Sequence, residues 1–165
     1  MTLHGSTITT PLGPLSAVAD DDGLRAAGFW TLDDIVAEVV REPVQPVADL
    51  GEITKALTAY FEGDLYALDA LPVQQPGGAF RQAAWKVMRD VPPGETITYA
   101  ELAARAGSPS AVRAAGSACA KNRVAPVVPC HRIVRTGGGM GGYAYGIATK
   151  EWLLHHERRA LAARS

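Results

Sequence analysis

The stretch Gln74-Gln75-Pro76-Gly77-Gly78 constrains this chain most. A proline followed by two glycines suits neither helix nor strand interior, so the polypeptide is broken there. Charge changes sign at the same place. Residues 1–79 carry three Lys and Arg against twelve Asp and Glu, and residues 80–165 carry thirteen against five. The net charge of −1 therefore conceals an acidic half and a basic half. A chain of 165 residues can bury one large core or two small ones, and the break favours two domains, 1–75 and 79–165. The basic half suits a polyanionic partner; mutual neutralisation of the halves is the alternative.

Composition excludes several classes. With 47% hydrophobic and 20% charged residues the chain reads as globular, and no apolar run is long enough for a bilayer. Thr2, His4 and Ser6 do not build the basic-then-apolar pattern of an export signal, so a cytoplasmic protein with reduced thiols is expected. The two cysteines, Cys119 and Cys130, form no CxxC, which rules out a four-cysteine zinc site within one chain. The acidic half has no Cys and only His4, so no zinc site is expected there either.

In the acidic half, Leu3–Thr10, Leu15–Ala19 and Leu24–Trp30 alternate as strands between turn signals at residues 11–14 and 20–23, predicting an antiparallel meander. Thr31 to Asp34 resembles a capping box before a helix carrying Ile35, Val36, Val39 and Val40. Glu42–Pro46 breaks it. Ile53, Leu57, Tyr60 and Phe61 predict a further helix ended by Gly63.

In the basic half, Phe80, Ala84, Val87, Met88 and Val91 predict a helix over 79–90. Thr98 three residues before Glu101 predicts the start of another, ending at Gly107. Ser108-Pro109-Ser110 then opens a helix to about Lys121, giving the layout of a helix-turn-helix. Seven of the nine residues from Ala111 to Cys119 are Ala, Gly, Ser or Cys. Such a helix either packs tightly on a neighbour or enters a narrow space. A DNA minor groove is about 6 Å wide, and this thin helix with Arg113 as its one long cation fits it. A flat, permanently charged guanidinium can stack on bases.

The run Val127-Val128-Pro129-Cys130-His131-Arg132-Ile133-Val134 sets polar residues inside an apolar stretch. Pro129 removes a backbone donor, so a turn or edge presenting the thiol is expected rather than a central strand. A core cysteine beside a surface histidine is the plain alternative. Five glycines in positions 137–142 precede Tyr143 and read as an active-site loop or a surface turn; without Gly-Lys-Ser/Thr they are no P-loop. The final helix is expected to start near Thr149. On its wheel Glu157 lies about 40° from Leu153, inside the apolar arc with Leu154, Ala160 and Leu161. A carboxylate there must be paired, either with an arginine or with a histidine it orients.

These residues carry a family resemblance. Pro129-Cys130-His131-Arg132-Ile133-Val134 resembles the active-site motif of the O6-alkylguanine-DNA alkyltransferases. Thr98 to Ala103, Val112 to Gly116, Asn122, Gly142-Tyr143 and Lys150 to Leu154 with Glu157 are similar to that family in order and spacing. Thr10 to Leu15 and Tyr60 to Gly63 resemble it more loosely. The resemblance implies an α+β fold: a small RNase H-like sheet domain, then a mostly helical, winged-helix-like domain with a helix-turn-helix. It implies irreversible, single-event transfer of an alkyl group from flipped O6-alkylguanine in duplex DNA to Cys130, with O4-methylthymine a further substrate to be tested. His131 would deprotonate Cys130 through a water, Glu157 would hold His131, and Asn122 would brace the turn. Tyr99 would crowd the target phosphate and protonate the departing guanine. Arg113 would fill the base stack, and Ala114 and Gly116 would meet DNA; Arg123 departs from the family's pattern and would add a phosphate contact. Tyr143, Ile133, Pro129, Cys119 and Ala144 would line the substrate pocket, where Tyr145 adds bulk. No cofactor, metal or membrane is implied, and the protein would be a monomer able to cluster on DNA at the nucleoid. Three other classes stay open: a lesion-binding module without chemistry, a transcription regulator, and a Cys-His hydrolase. Cys130 argues against the first, and the nearly featureless run Ala114–Ala120 against the second. Turnover would mark the third.

Overall fold

The computed structural model describes residues 2–164. They form two compact units. One comprises residues up to Gln75 together with Arg123–Val127; the other comprises Pro76–Asn122 together with Val128 onwards. The segment 123–127 had been expected to stay with the basic half in sequence order.

In the first unit, β1 (His4–Thr10), β2 (Gly13–Asp20) and β3 (Gly23–Gly28) make the antiparallel meander. The sheet has a fourth strand that alternation does not reveal. β4 is only Gln45–Pro46 and runs parallel to β1, giving the order β3-β2-β1-β4. β3 gains a one-residue parallel bridge to Val124, with Ala27 N–H donating to Arg123 O and Ala125 N–H to Ala27 O. Helix α1 (Leu32–Ile35) starts under Thr31, whose hydroxyl accepts the Asp34 N–H at 3.2 Å. It then widens into a π-helical stretch, Val36–Val40, instead of continuing as α-helix. Leu3, Val18, Ala26 and Ile35 form one core cluster, with Trp30, Leu32, Val39, Val40 and Val44 packed on it. Helix α2 (Glu52–Phe61) ends before Gly63, whose φ of 108° is the left-handed geometry glycine tolerates.

In the second unit, α3 (Ala79–Asp90) buries Ala84, Trp85 and Met88. Trp85 is the anchor that the apolar spacing alone passes over: its indole N–H donates to Ala118 O at 2.9 Å. Thr98 and Glu101 form a complete capping box at the start of α4 (Tyr99–Arg105). Helix α5 (Val112–Ala120) begins later than Ser108-Pro109-Ser110 suggested, after a turn and without a side-chain cap. Helix α6 spans Ile147–Ala162, two residues earlier than its expected start. Two short strands, β5 (Ile97–Thr98) and β6 (Ile133–Val134), pair in parallel. Both were hidden in the sequence, because two residues cannot display a period.

Candidate active site: a thiol at the floor of a helix-lined pocket

The apolar run that Pro129 interrupts folds as one 3-10 turn, Cys130–Arg132, leading directly into β6. Asn122 fixes its approach. Its amide Nδ2 donates to Val128 O at 2.8 Å and lies 3.3 Å from Cys130 Sγ. The turn thus ends with the thiol pointing into a cavity of about 550 Å³. Tyr99 at the start of α4, Val112, Arg113, Gly116, Cys119 and Ala120 on α5, and Arg135, Gly141, Gly142, Tyr143 and Ala144 complete its wall.

Several expected residues meet here. Cys119, Tyr143 and Ala144 line the cavity with Cys130, as do Tyr99, Arg113 and Gly116. Arg113 and Ala114 are exposed on α5, while Ala115 and Ala118 are buried on its other side. The packing reading of the small-residue helix therefore holds for one face, and the opposite face is thin and open. Pro129 and Ile133 do not reach the cavity. Both are buried, and Ile133 acts through its backbone carbonyl. Arg123 lies in the first unit, where its guanidinium donates to Val39 O and its N–H to Gln75 Oε1. Tyr145 does not form the wall either; it packs edge-on against Tyr143, with ring centroids 5.6 Å apart.

Behind Cys130 sits a buried charge cluster. His131 and Glu157 are both 0% exposed, and His131 Nε2 lies 2.8 Å from Glu157 Oε2. Arg132 donates to the same carboxylate twice, Nε to Oε1 at 2.9 Å and Nη2 to Oε2 at 2.8 Å. Its third nitrogen, Nη1, donates to Val91 O at 2.7 Å. Glu157 thus serves an arginine and a histidine at once, which the helix wheel had posed as alternatives. Burial opposes its charge, but His131 and Arg132 hold its carboxyl far below the usual range. An ionised carboxylate only accepts hydrogen bonds, so the proton between the two residues is on His131 Nε2. The other ring nitrogen, Nδ1, has no hydrogen-bond partner among the described residues and carries the free lone pair. Burial also holds His131 below the ordinary histidine range, despite Glu157, so the ring is neutral.

The thiol itself is not pre-ionised. Burial pushes Cys130 up, against the Asn122 hydrogen bond and the nearby Lys150 charge. A neutral base must take its proton during reaction rather than before it. Cys119 is also pushed up, again by burial first and then by Cys130. Burial likewise raises Tyr99, whose hydroxyl takes a hydrogen bond from the Gly142 backbone.

Lys150 was cited in the sequence only as part of a motif. It is 0% exposed, and its Nζ donates to Ile133 O at 2.6 Å, Met140 O at 2.5 Å and Gly142 O at 3.3 Å. It ties the strand after the cysteine turn to the glycine loop. The wheel contained this signal, since Lys150 lies about 60° from Leu153 and inside the same apolar arc as Glu157.

A thiol floor, a neutral imidazole on a carboxylate, and a helix-turn-helix at the rim define a cysteine-based group-acceptor protein with a nucleic-acid-binding fold. Comparison with known proteins agrees with that class. Residues 3–75 match the ribonuclease-like domain, and residues 79–159 the DNA binding domain, of 6-O-methylguanine DNA methyltransferase. A methylated-DNA–protein-cysteine methyltransferase of Shigella flexneri is 37% identical over 158 residues, covering 91% of this chain and 92% of that protein. The human protein of the same name is 38% identical over 168 residues, covering 94% and 81%. The Mycobacterium tuberculosis OGT solved in complex with DNA superposes with a TM-score of 0.83 at 32% identity, covering 95% of this chain and 94% of that one. The chain belongs to the methylated-DNA–protein-cysteine methyltransferase family.

Proposed function

We propose that this protein reverses alkylation damage in duplex DNA by taking the alkyl group from O6 of guanine onto Cys130, once per molecule. The observation that carries the reading is the buried Cys130 thiol facing a pocket bounded by α4 and α5, with a neutral His131 held by Glu157 beside it. A stacked base hides its O6, so the target nucleotide must rotate out, at a cost of a few kcal/mol. Arg113, exposed at the pocket rim, is suited to fill the gap in the stack, and the thin face of α5 with Ala114 and Gly116 suits the minor groove. Phosphate contacts supply affinity without reading sequence, which serves a search for rare lesions.

In the reaction, the Cys130 proton passes through a water to His131 Nδ1. The sulfur pair forms the S–C bond as the C–O6 bond breaks. Tyr99 gives its proton to the departing guanine and is reprotonated from the proton held at His131, so the products are an S-alkyl cysteine and an unmodified base. Nothing in this scheme restores the thiol. The same reading has the protein act as a monomer that can cluster along DNA, at the nucleoid. O4-methylthymine is the second lesion to test.

The experiment is a peptide mass map after incubation with duplex carrying O6-methylguanine. One added methyl on the Cys130 peptide is expected, and none in Cys130→Ser. An unmodified Cys130 peptide alongside repaired DNA contradicts the reading.

A further inference from the structure

The buried cluster contains one group that the scheme above leaves without a task. Arg132 is 5% exposed and spends all three guanidinium nitrogens, two of them on Glu157. Glu157 Oε1 accepts from Arg132 Nε and, at 3.4 Å, from the Gly94 N–H. Its Oε2 accepts from Arg132 Nη2 and His131 Nε2. A carboxylate offers about four lone-pair sites, so all four are taken.

The charge count follows from that geometry. Glu157 and Arg132 already cancel each other. Protonating His131 would leave a net positive charge in a buried cluster, with a further ammonium, Lys150, also acting on the ring. Without the arginine, the neutral combination would instead be the Glu157 carboxylate with a His131 imidazolium. An imidazolium has no lone pair and cannot accept the thiol proton. The charged groups acting on His131 are Glu157 and Lys150 from α6 and Arg132 from its own turn, and the segment after α3 contributes Val91 O and the Gly94 N–H to the same cluster.

We propose that Arg132 is a positioning residue that keeps His131 a neutral base, by supplying the countercharge that Glu157 would otherwise draw from the imidazole. Its two hydrogen bonds hold the carboxylate with Oε2 toward His131 Nε2. Arginine suits this because its fork meets both oxygens and its charge never leaves.

This inference rests on His131 acting as the base, and it is tested without DNA. The protein is labelled with 15N-histidine, and the ring nitrogens of His131 are followed against pH. Wild type should show a protonated Nε2 and a bare Nδ1 at pH 7, and should hold that state below the ordinary histidine pKa of about 6.5. An imidazolium at pH 7 in wild type overturns the proposal, whatever the variants do. Arg132→Met should convert His131 to imidazolium at neutral pH and slow transfer at least about tenfold, with recovery as pH rises above the shifted pKa. Arg132→Lys keeps the charge and should keep the neutral ring, with transfer restored to within a few-fold of wild type. An imidazolium in Arg132→Lys contradicts the proposal even if Arg132→Met does not fold. Equal loss of transfer in both variants with an unchanged ring signature also contradicts it, because that is the mark of a purely structural ion pair. Failure of Cys130 to gain a methyl in wild type would sink the alkyl-transfer reading while leaving the ring measurement untouched.

Discussion

At the residue scale, the site works by keeping its parts neutral until substrate arrives. The thiol is raised by burial and the imidazole is lowered by it, so neither is charged at rest. Acid should act on the fold through the same residues. His131 has a folded pKa below its unfolded value, so the unfolded chain binds more protons between the two, and stability falls as pH drops below about 6.5. Glu157 is also depressed, so its contribution is present above about pH 4.3 and is lost as pH falls through its folded value. Denaturant midpoints measured from pH 7.5 to 5 should therefore decline on the acid side, and a flat profile would show that His131 is not held neutral. Lys150 gives a separate test. Lys150→Met removes the donor to one carbonyl of β6 and two of the glycine loop, at about 1–3 kcal/mol for each one left buried and unpaired. Transfer should slow about tenfold or more on duplex and on free O6-alkylguanine alike, since a pocket wall is lost from both reactions.

Elements divide into those that periodicity displays and those that it cannot. The meander, α2, α3 and α4 announce themselves by alternation, helical spacing or a Thr98–Glu101 cap. The π-helical turn at Val36–Val40 and the strands β4, β5 and β6 do not, because their form is set by what they pack on. The glycine loop is legible as a loop, but its reason lies in the fold. Gly141 has φ 74°, and a Cβ there would sit 2.5 Å from Tyr99 Oη, so loop and tyrosine are fitted to each other. Helix α5 shows how far composition reaches: small residues spoke for both packing and a narrow groove, and the helix does the one and presents a face for the other. Arg113→Ala should leave methyl transfer from the free base within about twofold of wild type and slow duplex repair about tenfold or more. Equal losses on both substrates would remove the stack-filling role.

On the scale of the whole molecule, the charge reversal and the Gln74–Gly78 break mark a real change of unit, yet the polypeptide returns to the first unit at Arg123–Val127. That return is hard to see in sequence because it is pinned to β3 by backbone pairs, Ala27 with Arg123 and Ala125, which leave no side-chain pattern. It also explains why Arg123 is occupied at Val39 O instead of standing free for phosphate. The residues proposed for the chemistry stand out in the sequence because their spacing is familiar: Cys130 and His131 are neighbours, and Glu157 is a carboxylate on an apolar helix face. Arg132 is not legible in this way, and Lys150 only through its place on the apolar arc, since what a buried cation does is recognised only once its acceptors are known.

The central claim is that Cys130 accepts one alkyl group and is not regenerated. A titration of methylated duplex against a fixed amount of protein, with repaired guanine counted at completion, tests it most directly. A plateau at about one methyl per protein molecule is expected, reached in a single phase and unchanged by longer incubation. Repair that continues past one equivalent would mean the thiol is restored, and would contradict it.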